Sequence, residues 1–183
     1  MKHLSIAVLL LLAVAAKPAD ELVKNLPDMG TEDFPYGVYS GTIPVTGTSK
    51  TLHYIFTESQ GDWNTDPLVI WSNGGPGCSS LLGWLTEIGA FIMPSGSNEF
   101  SENPHAWNKN ANVLYLDHPA GIGYSTCTGK DECTSSDLQD SLDNIDVLKQ
   151  WFAKFPEFKQ HDLWLTGESY AGIYIPNLLY QID

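Results

Sequence analysis

One serine carries the most legible chemistry in this chain. It lies in Gly167-Glu168-Ser169-Tyr170-Ala171-Gly172, between Asp162–Thr166, which reads as a buried strand, and Ile173–Ile182, which reads as the start of an apolar helix. A serine at a sharp strand-to-helix turn projects its hydroxyl out of the sheet, with the positive end of a helix dipole beneath it. So tight a turn brings together the α-carbons two positions either side, and Gly167 and Ala171 are accordingly small. Ser169 is thus a candidate nucleophile for acyl transfer. The oxyanion formed in such chemistry needs preorganised N–H donors. One comes from the residue after the serine, here Tyr170, and the other from a glycine-rich loop after an earlier strand. Asn73-Gly74-Gly75-Pro76-Gly77 occupies that place. Glycines suit it because side chains would block a carbonyl from the backbone. Taken alone, the loop reads equally well as an ordinary Gly-Pro turn.

These groups need elements to hold them. Tyr36–Ile43 and Thr51–Thr57 read as a hairpin of strands connected through Gly47. Pro67–Ser72 and Val113–Leu116 are continuous apolar runs, as expected of strands covered on both faces. Ser79–Ile88 reads as a helix. From Ser136 to Phe155 the residues Leu138, Leu142, Ile145, Leu148, Phe152 and Phe155 recur every three or four positions, which predicts an amphipathic helix. Asp137, Asp140, Asp143 and Asp146 read as its solvated face, not as a metal site. Two strands followed by three strand–helix units indicate an α/β fold with a largely parallel sheet and an antiparallel start.

Composition narrows the setting. The 183 residues suggest about one domain, and 43% hydrophobic content is ordinary for a globular chain. Residues 1–16 read as a secretory signal peptide: Lys2 and His3, an apolar run from Ile6 to Val14, and a small-x-small site ending at Ala15 or Ala16. That run is shorter than the roughly 20 residues a spanning helix needs, so no membrane anchoring is expected after cleavage. Residues 17–183 form the remaining domain. With eight lysines against 22 acids and no arginine, its net charge of −14 makes nucleic acid and anionic membranes poor partners. Behind a signal peptide disulfides are permitted; Cys127 and Cys133 bracket a short loop that one could close, leaving Cys78 odd. No Asn-x-Ser/Thr acceptor occurs.

Trp71-Ser-Asn-Gly-Gly-Pro-Gly-Cys-Ser-Ser80 and Gly167-Glu-Ser-Tyr-Ala-Gly-Ile-Tyr-Ile-Pro176 resemble the two signature motifs of the serine carboxypeptidases. Asp117–Ser125 is similar to a third shared segment, and Tyr39–Gly41, Leu52–Tyr54 and Phe56–Gln60 resemble the cathepsin A-like branch. The likeness runs from about Asp33 to the last residue. It implies the N-terminal portion of an α/β-hydrolase fold, with later strands and the cap region lying further along. It implies Ser169 as nucleophile, Gly75 and Tyr170 N–H groups as the oxyanion hole, and Asn73, Gly74, Glu87 and Glu168 as the grip on a substrate's C-terminal carboxylate. Glu87 enters only through the resemblance, since helical spacing alone would leave it a solvated acid.

In that family the triad Asp and His follow the serine by a long way. None of His3, His53, His105, His118 and His161 does, so His118 is expected to be incidental, and Asp117 and Asp183 are poor candidates for the acid. The disulfide partner of Cys78 would likewise lie downstream. The expectation is therefore a serine-type carboxypeptidase of the secretory pathway, lysosomal, vacuolar or extracellular, acting on peptide C-termini at acid pH without metal or cofactor. Ending 14 residues after Ser169, the chain alone is expected to be inactive. An acyltransferase on the same scaffold, or a non-catalytic binding protein, is the alternative reading; the pairing of Glu87 with Glu168 favours peptide C-termini.

Overall fold

Residues 17–26, 33–93, 96 and 100–182 are described by a computed structural model. The expected signal peptide and Asp183 lie outside the described residues. The strands are β1 (Val38–Pro44), β2 (Thr51–Thr57), β3 (Leu68–Ser72), β4 (Phe91–Ile92), β5 (Ser101–Glu102), β6 (Asn112–Leu116) and β7 (Leu163–Gly167). The helices are α1 (Asp137–Lys154) and α2 (Ala171–Ile182). Five strands form one sheet in the order β1-β2-β6-β3-β7, while β4 and β5 make a small separate hairpin that the sequence did not announce. β1, β2 and β6 pair antiparallel, and β6, β3 and β7 pair parallel. The fold is thus the mostly parallel α/β sheet with an antiparallel start.

Strand alternation sorts the core onto two faces. Tyr39, Leu52, Tyr54, Phe56, Ile70 and Leu114 face α1 and α2, where Val147, Leu148, Trp151, Phe155 and Leu178 meet them. Val38, Ile55, Val69, Trp71, Val113 and Tyr115 form the other face, covered partly by Leu81, Trp84 and Ile88. The aromatic cluster is dense: Trp151 and Phe158 lie edge-on to Phe56 at 5.1 and 4.9 Å, and Trp151 stacks on Phe155 at 4.7 Å. Truncating one such aromatic typically costs about 3–5 kcal/mol, against at most about 1 for a surface ion pair. Packing of this cluster therefore holds α1 on the sheet more firmly than any exposed charge on it does.

Several expectations need correction. α1 begins as read, with the Ser136 hydroxyl accepting the Gln139 N–H as an N-cap. Its buried stripe, however, is Asp140, Ser141, Asn144, Val147, Leu148 and Trp151, while Leu138 and Leu142 are exposed. Asp140 and Asp143 are not a solvated face. Asp143 accepts from the buried Lys50 ammonium at 2.7 Å, and Asp140 pairs with His118 at 2.8 Å. Apolar spacing misled because long-range partners make these two acids affordable inside. β7 is not buried either: among the described residues it pairs only with β3, and Trp164 is 60% exposed. Finally, Ser79–Ile88 is not a regular helix. The Gly83 N–H is taken by the Asn73 side-chain oxygen at 2.9 Å, and the turn Gly83–Glu87 is π-type, closed by Ile88 N–H to Gly83 C=O.

Candidate active site

Ser169 sits between β7 and α2 with φ +58°, a left-handed conformation unusual for a residue with a side chain. Turn hydrogen bonds hold it there: Ala171 N–H to Glu168 C=O and Gly172 N–H to Ser169 C=O, both 3.0 Å. The Glu168 N–H reaches Ser72 C=O at 3.2 Å, which ties the elbow to the end of β3. A β-carbon on Gly167 would lie 2.6 Å from that of Ala171, so the flanking positions are small for the reason expected.

The loop leaving β3 lies directly against this elbow. A β-carbon on Gly74 would come within 2.4 Å of Tyr170 N and 2.8 Å of Glu168 O. Gly75 is exposed beside it. Among the described residues no acceptor bonds the Gly75 or Tyr170 N–H, which leaves both donors available to a ligand.

Four further residues converge here. The Asn73 amide donates to Glu87 Oε1 at 3.2 Å and to Glu168 Oε1 at 3.4 Å, and the Gly74 N–H donates to Glu168 Oε1 at 3.3 Å. Asn73 is itself fixed from behind: its oxygen accepts from the Trp71 indole and from Gly83 N–H, both at 2.9 Å. The π-type turn carries Glu87 to Asn73, a placement no regular helical spacing would suggest. Both glutamates are exposed.

Two of the histidines, His118 and His53, are engaged elsewhere. His118 is buried, contacts Asp140 through Nδ1 and Ser72 Oγ through Nε2 at 3.0 Å, and stands edge-on to Tyr174 at 4.7 Å. Tyr174 in turn accepts the Gly77 N–H at 3.0 Å. Far from being incidental, His118 braces β3, α1 and α2 beneath the loop. His53 bridges Ser40 Oγ at 3.0 Å and Asp117 at 2.9 Å. That Ser–His–Asp chain resembles a triad in connectivity, but Ser40 lies on β1, the opposite sheet edge from β7. It cannot serve Ser169.

Asp117 was missed as a site residue. It accepts from Ser79 Oγ at 2.5 Å, Ser80 N–H at 3.0 Å and Tyr124 N–H at 3.3 Å, besides His53. It thereby clamps the segment after the glycine loop. Its hints in the sequence were an acid directly after a buried strand and its place at the head of the family-like segment Asp117–Ser125. Burial pushes its carboxyl upward, but the bonds from His53, Ser79 and Tyr124 outweigh this and hold it below the usual carboxylate value. A depressed pKa means stabilisation that is complete above the ordinary value, about 3.9, and lost as pH falls through the lower folded value. Asp117→Asn should therefore be less stable than the parent at pH 6, with the gap closing below about pH 3. Urea midpoints across that range check it; a gap independent of pH would refute the ionised clamp.

Cys127 and Cys133 form a disulfide, so the local loop is closed. Cys78 is a free thiol. The family model described as serine carboxypeptidase matches residues 27–183. The chain belongs to the serine carboxypeptidase family. It is 49% identical over 168 residues to a serine carboxypeptidase of Caenorhabditis elegans, covering 91% of this chain and 35% of that one. It is 45% identical over 163 residues to the lysosomal protective protein of Mus musculus, covering 89% and 34%. Among solved structures it is similar to a prohormone-processing carboxypeptidase from Saccharomyces cerevisiae, with TM-score 0.68 and 31% identity, covering 80% of this chain and 34% of that one. The chain therefore has an α/β-hydrolase fold and spans about a third of the length of these serine carboxypeptidases.

Proposed function

We propose that this chain supplies the nucleophile, oxyanion hole and carboxylate grip of a serine carboxypeptidase that releases C-terminal residues from peptides in an acid compartment. The observation that carries this reading is the convergence of Asn73, Gly74, Glu87 and Glu168 on the Ser169 elbow. Ser169 attacks the last peptide carbonyl, and the N–H groups of Gly75 and Tyr170 hold the oxyanion. The amine leaves with a proton, giving an acyl-enzyme that water then hydrolyses. The base and acid that activate Ser169 belong to the two thirds of the fold that the relatives carry beyond this match. The secretory route and a lysosomal or vacuolar destination fit the leader-like residues 1–16 and the kinship with a lysosomal protective protein.

Three carboxylates cannot meet cheaply, so an acid pH that protonates a glutamate converts it into a donor to the substrate carboxylate. Ionisation with rising pH removes that hydrogen bond and adds repulsion. A bond to a charged group contributes about 1.5–3 kcal/mol, or roughly 10- to 150-fold in KM. Glu168→Gln keeps a donor at every pH. In the full-length enzyme its KM should rise less steeply with pH than that of the parent. Parallel profiles for the two proteins would sink the idea.

A further inference from the structure

The first described residues fold back on the sheet, and charge is left unbalanced where they do. The Lys17 ammonium sits against the Glu58 carboxylate, 3.1 Å from the centre of the Trp63 ring, and 3.9 Å from Glu157 Oε1. Glu58 also accepts the Gly37 N–H at 3.0 Å. Glu157 is less well served. Both its oxygens are shielded from solvent, and among the described residues neither has a hydrogen-bond donor. A desolvated carboxylate without donors is among the costlier things a fold can contain. Two carboxylates thus face one ammonium, and Lys17 Nζ is already committed to Glu58 and Trp63. Tyr39 experiences the same imbalance: burial first, then the charges of Glu58 and Glu157, push its hydroxyl up to about 12.

What the cluster lacks is one more ammonium close to Lys17. Hydrolysis of the peptide bond before Lys17 creates it. Water adds across the bond, the carboxylate departs with Ala16, and the new α-amine, with an ordinary pKa near 8, takes up a proton. Sequence pattern leaves Ala15 and Ala16 open as the last leader residue, and a cut after Ala15 would place the ammonium one residue further away. We infer that the leader is cut between Ala16 and Lys17, and that the α-ammonium released there docks on Glu157, so the mature N-terminus is part of the folded structure. The cut falls on the translocating chain before folding, so later burial of Lys17 does not obstruct it.

Sequencing the N-terminus of the secreted full-length protein should return Lys17 first. The same protein retaining Ala16 should melt about 1–3 °C lower, and Glu157→Gln should abolish the difference between the two forms. A start other than Lys17, equal melting of the two forms, or a difference that survives Glu157→Gln would each overturn the inference. Should Glu157→Gln fail to fold, acylation at neutral pH decides. The Lys17 α-amine should react at least tenfold more slowly in native protein than in urea, measured against lysine side chains. Equal rates would count against docking.

Discussion

Replacing Ser169 by glycine is expected to abolish turnover and raise the melting temperature in the same variant. Losing the nucleophile of a serine hydrolase costs about 10⁶ in kcat, so fluorophosphonate labelling of the full-length enzyme should vanish. The stability gain has a separate cause. Ser169 holds φ +58°, and a left-handed residue with a β-carbon carries about 1–2 kcal/mol of strain. Glycine releases that strain but gains about 0.4–1 kcal/mol of unfolded-state entropy. The balance favours glycine by up to about 1.6 kcal/mol, or a few degrees in melting. Ser169→Ala is the control, because it removes the hydroxyl and keeps the β-carbon. If Ser169→Gly melts no higher than Ser169→Ala, the elbow stores no strain at this position. Labelling that persists in both would point to Ser40, a half-buried serine whose hydroxyl meets the His53 imidazole.

The elbow shows which parts of the site could be read without coordinates. Small residues at Gly167 and Ala171 and the apolar runs around them are local requirements of a tight turn, so the sequence displays them. β2 matches its expected span, and β1, β3 and β6 shift by one or two residues, because period and breakers act locally. What escaped was set at long range. Asp143 and Asp140 are inside because Lys50, 93 residues away, and His118, 22 away, meet them there. Glu87 reaches Asn73 because Asn73 takes the Gly83 N–H out of the helical ladder. Neither effect has a signature within a ten-residue window. The proposed grip of Asn73, Gly74, Glu87 and Glu168 was legible only through family motifs; in the structure, hydrogen bonds join the four residues.

Closeness between loop and elbow also makes Gly74 intolerant of a methyl group. Gly74→Ala would place its β-carbon 2.4 Å from Tyr170 N and 2.8 Å from Glu168 O, both backbone atoms that cannot swing aside. The loop must retreat, and Gly75, the neighbouring residue proposed as an oxyanion donor, must move with it. Removing one such donor costs about 10²–10³ in kcat. Displacing the Gly74 N–H from Glu168 and shifting Asn73 should raise KM as well, so kcat/KM of the full-length enzyme falls further than kcat alone. Gly172→Ala supplies the contrast three residues past Ser169. A β-carbon there meets nothing within 4 Å, and the position lies in α2, where alanine is favoured over glycine by about 1 kcal/mol. That variant should match the parent in kcat/KM and melt slightly higher. Equal activity for both variants would mean that the loop can relax away from the elbow without losing the oxyanion hole, and the site would then be looser than its contacts imply.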